Sequence, residues 1–306
     1  MKNNNKKIVI TGGAGFIGSN LAEKLVDLGY NVTIVDNLSQ GKKERCPHHS
    51  NLIVEDIKNY NKLLEIFKDT DTVFHVAAIP RVPYSIEYPL ETNEANITGT
   101  LNVLMAAKES GVRRVVYSAS SSAYGEQKIM PLTEEMTPKP VHPYGIQKYV
   151  GELYCRVFSD IYNLETVCLR YFNVYGRHQN PDGPYAGVVV KFLKNRKLNL
   201  PLTIVGDGLQ SRDFTHVSDV VNANILAMES ANVGKGEVLN VGYGKNITVL
   251  ELANMIGGEL KYEPERKEAK HSLADISKIK KLIGWEPKVK IEDGLEDLKK
   301  SFGIKN

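Results

Sequence analysis

From Lys7 to Val241, runs of consecutive apolar residues alternate with stretches whose apolar residues recur at helical spacing. KIVITGG is apolar until it stops at glycine, which predicts a strand buried on both faces. GFIGSNLAEKLVDLG then places Ile17, Leu21, Leu25 and Leu28 on one helical face and ends at Gly29. NVTIVDN is a second buried strand and closes a strand–helix–strand unit. The alternation continues through strand LIVED and short helix NKLLEIFKD, then strand TVFHVAA and long helix ETNEANITGTLNVLMAAKESG. RRVVYSAS is a strand, PYGIQKYVGELYCRVFSDIYN a helix and ETVCLRYFNVYG a strand. Strands apolar throughout, separated by helices, predict a doubly wound α/β fold. Its parallel sheet should have about seven strands and right-handed crossovers.

Beyond Gly176 the pattern loosens. RHQNPDGPYAG is a loop, an apolar segment runs from Val188 to Leu193, and a short β pair is expected near LTIVGDG. VSDVVNANILAMES is helical, EVLNVG a strand, and TVLELANMIGG and DISKIKKLIGW short helices. Residues 1–172 therefore form a first domain and 173–306 mainly a smaller mixed lobe, with segment 213–241 returning to the first.

Composition narrows the function little. The 306 residues, 42% hydrophobic and 25% charged, have the balance of an ordinary globular protein. A net charge of +3 with interspersed signs argues against nucleic acid or a membrane surface as partner. Cys46, Cys155 and Cys168 form no CxxC pair, and their odd number argues against a disulfide framework. Cys46, His48 and His49 in CPHHS have no distant fourth ligand to complete a tetrahedron, so no metal is expected. MKNNNKK lacks the apolar stretch of a signal peptide, and no apolar run reaches the roughly 18 residues of a spanning helix. A cytoplasmic location is expected.

The chemistry begins with TGGAGFIGS, where Gly12, Gly15 and Gly18 follow a strand and open a helix. Gly12 suits the tight turn, Gly15 lets backbone amides approach a pyrophosphate, and Gly18 lets helix and sheet pack closely. The helix start then offers unpaired N–H groups and a favourable dipole. Asp36 ends the second strand, where a carboxylate accepts ribose hydroxyls and repels a 2′-phosphate. This is a Rossmann-type arrangement that favours NAD over NADP.

Tyr144 and Lys148 in HPYGIQKYVGELY are four apart, a spacing shared by Tyr124 and Lys128 in AYGEQKIMP. Only the first pair lies on a periodic helix, with Pro143 at its start, so only there do both side chains share a face. A tyrosine with pKa near 10 needs about 4 kcal/mol to become a base near neutral pH. A lysine ammonium about 4 Å away supplies roughly that at an effective dielectric of about 20. Ser118, Ser120, Ser121 and Ser122 end the preceding strand, at the sheet edge where α/β ligands bind.

TGGAGFIG, Asp36, the strand-end serines, Tyr-x-x-x-Lys and RYFNVYG together resemble the extended short-chain dehydrogenase/reductases, over residues 7 to 300. The resemblance implies a triad of Ser120, Tyr144 and Lys148. Ser121 and Ser122 stand where dehydratases of that family carry an Asp-Glu pair, so the chain looks most like the UDP-hexose 4-epimerases, NAD-dependent isomerases. It resembles their UDP-N-acetylglucosamine branch especially. By the same resemblance Phe16, Ile17, Asn37, Asp56, Ile57, Ala77, Asn96 and Phe172 contact NAD beside the glycines, Asp36, Tyr144 and Lys148. Asn173 and Arg212 bind the UDP-sugar together with Ser120, Ser121, Ser122 and Tyr144, and the small Ser272 leaves room for an N-acetyl group. Two departures stand out. Arg266 is one place beyond the family's phosphate-binding arginine, whose position holds Glu265, and Arg81 adds a cation to the cofactor-side loop. A homodimer through helices around 94–109 and 143–160 is also implied. The alternatives are a UDP-glucuronate 4-epimerase, another nucleotide-sugar oxidoreductase of this fold, or an NAD-binding scaffold without catalysis.

Overall fold

The computed structural model describes residues 6–182, 186–265 and 270–304. The predicted apolar runs form strands β1 (Lys7–Thr11), β2 (Asn31–Asp36), β3 (Asn51–Val54), β4 (Thr70–His75), β5 (Arg114–Ser120) and β6 (Glu165–Tyr171). Between them lie α1 (Phe16–Asp27), α2 (Tyr60–Ile66), α3 (Val82–Glu87), α4 (Pro89–Asn93), α5 (Gly99–Glu109) and α6 (Pro143–Tyr162). Past β6 come β7 (Val174–Tyr175), α7 (Val188–Lys197), β8 (Leu202–Val205), β9 (Ser211–Arg212), β10 (Thr215–His216), α8 (Val217–Glu229) and β11 (Lys235–Val241). The chain ends through β12 (Ile247–Thr248), α9 (Val249–Ile256), β13 (Leu260–Glu263), α10 (Ser277–Ile283) and α11 (Ile291–Phe302).

Seven strands form one parallel sheet in the order β11-β6-β5-β4-β1-β2-β3. Alternate residues of each strand feed two separate cores. Ile8 and Ile10 pack with Leu21 and Leu25 of α1, Val220 of α8 and the fully buried Trp285. Val9 and Val35 face the other way, onto Leu63 of α2, Val103 of α5 and Phe158 of α6. Strand order reverses between β1 and β4, leaving a crevice at their C-terminal ends where such folds bind ligands. A third core, built on Phe192, Leu202, Ile204, Leu252 and Leu295, belongs to the C-terminal lobe.

Local geometry departs from the sequence reading in four places. The long helix starts two residues early, at Pro89, and runs through a π-helical turn, Glu94–Thr98, before α5. Helix α3 forms in a proline-containing stretch read as loop, because Pro83 falls in its first turn, where no N–H is required. Strand β8 pairs in parallel with β13, far along the chain, instead of with a nearby strand. Helix α11 was not anticipated. Its apolar residues Ile291, Leu295, Leu298 and Phe302 lie on one face, interrupted by Gly294, where a Cβ would collide with the Tyr175 hydroxyl. No helix among the described residues is long and apolar enough to cross a membrane.

Candidate active site

The glycine loop shapes one end of the crevice. Gly12 adopts φ +72°, and a Cβ there would lie 2.6 Å from the Ala77 nitrogen at the end of β4. A Cβ at Gly18 would run into the Gly12 carbonyl, so α1 can approach the loop only as glycine. The α1 N-terminus has no side-chain cap, and Phe16, Ile17 and Gly18 of its first turn line the crevice. Such an uncapped start suits a pyrophosphate. Asp36 is buried, with one carboxylate oxygen accepting the Ala14 N–H at 3.0 Å and the other the Leu38 N–H at 2.8 Å. Asn37 donates to Asp56 at 3.0 Å, tying the ends of β2 and β3 together around the same wall.

At the other end, β5 delivers the serines and α6 delivers Tyr144 and Lys148. His142 caps α6, its Nδ1 accepting the Gly145 N–H at 3.0 Å, and Pro143 occupies the first turn. The Tyr144 N–H donates to Ser85 Oγ at 3.1 Å, which docks α3 against the helix start. Burial pushes the Tyr144 phenol up to about 12, opposed by a hydrogen bond with Ser120 and by the charge of Arg81. Lys148 turns its ammonium toward the sheet, donating to the Ser118 carbonyl at 2.8 Å and lying 4.9 Å from the Tyr117 ring centre. Burial lowers its pKa to about 8. The expected lowering of Tyr144 by Lys148 is therefore absent. Desolvation outweighs it, and the cation that acts on the phenol is Arg81.

The rival tyrosine is engaged elsewhere. Tyr124 is fully buried, donates to Asn240 Oδ1 at 2.7 Å and lies under the Arg170 guanidinium, while Lys128 is exposed.

Replacing Lys148 by methionine should stabilise protein stripped of NAD at neutral pH. The folded pKa, about 8, lies below the ordinary 10.5, so the unfolded chain holds the proton more tightly. Folding therefore carries the full penalty below pH 8 and loses it as pH rises toward 10.5. The displacement corresponds to roughly 3 kcal/mol, less the bond to Ser118. Thermal melts should show a gain at pH 7 that shrinks toward pH 10. A Lys148→Met protein less stable than wild type at both would contradict this.

A cleft of about 530 Å³ joins the two ends. It runs from Asp36 past the glycine loop to Ser120, Tyr144 and Asn173, and it fits a dinucleotide, with the bare helix start and the glycine cradle for phosphates and Asp36 for a ribose. A concavity of about 560 Å³ at the opposite strand ends, around Lys7, Asp69 and Arg113, is open. Lys7 there is bonded to helix-end carbonyls and Arg113 is paired with Asp71, which leaves no nucleophile–base set.

Residues 8–242 match the NAD dependent epimerase/dehydratase family. The chain belongs to this family. Among similar solved structures is a UDP-glucose 4-epimerase of Thermotoga maritima with UDP-glucose, 39% identical, covering 97% of this chain and 98% of that one, with a TM-score of 0.92. A UDP-N-acetylglucosamine 4-epimerase of Methanobrevibacter ruminantium, in complex with UDP-N-acetylmuramic acid, is 40% identical over 98% of both chains, TM-score 0.92. A UDP-N-acetyl-alpha-D-glucosaminuronate decarboxylase of Bacillus cytotoxicus is 36% identical over 95% of this chain and 96% of its own length.

As a member of the epimerase/dehydratase family the protein is an NAD-dependent enzyme. Gly12, Gly15, Phe16, Ile17, Gly18, Asp36, Asn37, Asp56, Ile57, Ala77, Tyr144 and Lys148 all line the cleft, as do Ser120, Ser121, Ser122 and Asn173. Four other expected residues are not among those lining it. Asn96 is buried in the π-helical turn, accepting the Ile79 N–H at 2.8 Å and donating to Gln147 at 2.8 Å, so it holds the loop that bears Arg81. Phe172 packs against Tyr124 in a small core. Arg212 donates to the carbonyls of Ser211 and Lys270. Ser272 accepts from Asn173 Nδ2 at 3.1 Å, so it reaches the site through that side chain. Arg266 lies outside the described residues. Sequence reading missed Gly41, Arg45, His178 and Gln179 of the cleft wall, which come from loops and a single 3-10 turn without periodicity. His178 meets Ser19 of α1 at 2.9 Å, a contact between residues far apart in the chain.

Proposed function

We propose that the protein interconverts C4 epimers of a UDP-hexose, UDP-N-acetylglucosamine and its galacto epimer first, with UDP-glucose and UDP-galactose as further substrates. The observation that carries this reading is the hydrogen-bonded Ser120–Tyr144 pair with hydroxyls, not carboxylates, at Ser121 and Ser122. Bound NAD supplies a hydride acceptor and donor at the sugar carbon. Tyr144 takes the proton from the C4 oxygen and later returns it, and Ser120 orients that oxygen. Without an acid pair beside them, these residues have no group to expel water from the ring. Asn173 and Arg212 serve the nucleotide-sugar side, and Ser272, being small, leaves space at the N-acetyl position. One observation favours a second reading, UDP-glucuronate: Arg81 places a cation beside Tyr144 at the sugar end.

The test is incubation with each of the three UDP-sugars, no NAD added, and proton NMR of the C4 epimers. Turnover of the N-acetyl sugar supports the reading, and turnover of UDP-glucuronate alone moves it to the second. No product from any of them overturns it.

A homodimer is part of this proposal. On α6, Ile146, Leu153, Val157 and Ile161 are 48%, 47%, 43% and 65% exposed and fall on one outward stripe. A second copy packing stripe to stripe would cover it. Leu153→Glu combined with Val157→Glu should then halve the mass seen by light scattering. An unchanged dimer, or a monomeric wild type, would remove this surface from consideration.

A further inference from the structure

Helix α6 continues the line of Tyr144 and Lys148 one turn further, to Glu152, which is 3% exposed. Its two carboxylate oxygens accept the fork of Arg170 from β6, at 2.8 Å from Nε and 2.6 Å from Nη2. Arg170 is 2% exposed and rests on the Tyr124 ring, 4.5 Å from its centre. Tyr124 is in turn fastened to Asn240. Charges therefore alternate inward from the catalytic end: Lys148, Glu152, Arg170.

We infer that the buried Glu152–Arg170 pair is a positioning device for the reaction, holding Lys148 as a charged ammonium at the site. The reasoning is electrostatic. Lys148 is desolvated and has the Ser118 carbonyl and the Tyr117 ring as neutral neighbours. A buried ammonium with such partners tends to lose its proton, and an anion one helical turn away opposes that loss. Burial raises the Glu152 pKa, and the arginine fork on both of its oxygens opposes that rise and favours the carboxylate.

Among the other groups around Lys148, Cys155 acts in the same direction as Glu152. His75 from β4 is held between Thr11 and Thr100 and burial keeps it neutral. Tyr117 and Tyr144 are buried phenols held protonated. The Cys155 thiol lies one further turn along α6, beside Cys168 of β6, whose own thiol is pushed well up. Arg81 is a cation and acts on Tyr144.

Both partners bear on the charge of Lys148, which an architectural role alone would not. Glu152→Gln removes the anion directly, and Arg170→Gln removes it by letting the buried carboxyl take up a proton. In protein labelled with ¹³C at lysine Cε, with the Lys148 signal assigned by its loss in Lys148→Met, Glu152→Gln should move the midpoint down by about one pH unit. Arg170→Gln should also move it down, by less, since a cation leaves with the anion. Glu152→Asp, which keeps the carboxylate and disturbs packing as much, should stay near wild type and serves as the readout if Arg170→Gln does not fold. A rise of the midpoint in either Gln variant, equal effects of Asp and Gln at 152, or no shift at all would overturn the inference.

The activity arm rests on the epimerase reading, whereas the NMR arm does not. At pH 8, Glu152→Gln should lower kcat about tenfold with KM unchanged, and the alkaline limb of its pH profile should move to lower pH. Wild type inactive on every UDP-sugar, with the NMR shifts present, would discard that reading and keep the charge relay.

Discussion

Tyr144→Phe should lower turnover by roughly a thousandfold or more while leaving bound NAD and the melting temperature close to wild type. The substitution removes one oxygen from a side chain only 9% exposed and leaves its packed ring in place. That oxygen is the group hydrogen-bonded to Ser120 at the end of β5. Its pKa, pushed up to about 12 by burial, means that the resting protein holds a protonated phenol, a proton donor more readily than a base. Positive charge arriving with the cofactor must shift it, and Arg81 is the cation already placed to contribute. Tyr124→Phe is the matched control. It removes a hydroxyl bonded to Asn240, costing about 1 kcal/mol of stability and little activity. Should the two variants lose turnover equally, or should Tyr144→Phe stay within tenfold of wild type, Tyr144 would not be the proton carrier.

Gly12→Ala should yield protein that purifies without NAD, its affinity reduced by at least about a hundredfold, or about 3 kcal/mol. Two costs add here. A φ of +72° disfavours any side chain by about 1–2 kcal/mol. The new methyl would also stand 2.6 Å from Ala77 N and 2.7 Å from its Cα, backbone atoms at the end of β4 that cannot swing aside. Relief requires the loop to move off β4, and this widens the turn that aims the α1 N-terminus at the phosphates. Absorbance at 260 and 280 nm of the purified protein, followed by calorimetric titration with NAD, reads the outcome. A Gly12→Ala protein that retains stoichiometric NAD would show that the loop tolerates the shift.

Positions such as Gly12, Asp36, Ser120 and Tyr144 were legible because their signals are local. A strand ends, a helix begins, and the residue type at that junction states its chemistry. Ser120 and Tyr144 meet only through the register of β5 against its neighbours and the docking of α6, yet both motifs announce themselves separately. Arg81 was visible as an odd cation but had no assignable role. What places it is a loop held at Ile79 by Asn96 and at Ser85 by the Tyr144 amide, three segments whose proximity no spacing encodes. Asn96 and Phe172, both expected at the cofactor, have surroundings that no spacing encodes: Asn96 is hydrogen-bonded to Ile79 and Gln147, and Phe172 is packed in a small core.

By itself, the sequence determined the alternation of strands and helices, the phosphate loop with its carboxylate, and the tyrosine that lies on a helix. Those depend on periodicity and on the stereochemistry of neighbouring residues. Tertiary structure alone decided how much each group is desolvated, toward which partner Lys148 turns, and that Glu152 and Arg170 meet behind it. Electrostatic behaviour follows distance and burial in space, and neither is a property of neighbours along the chain.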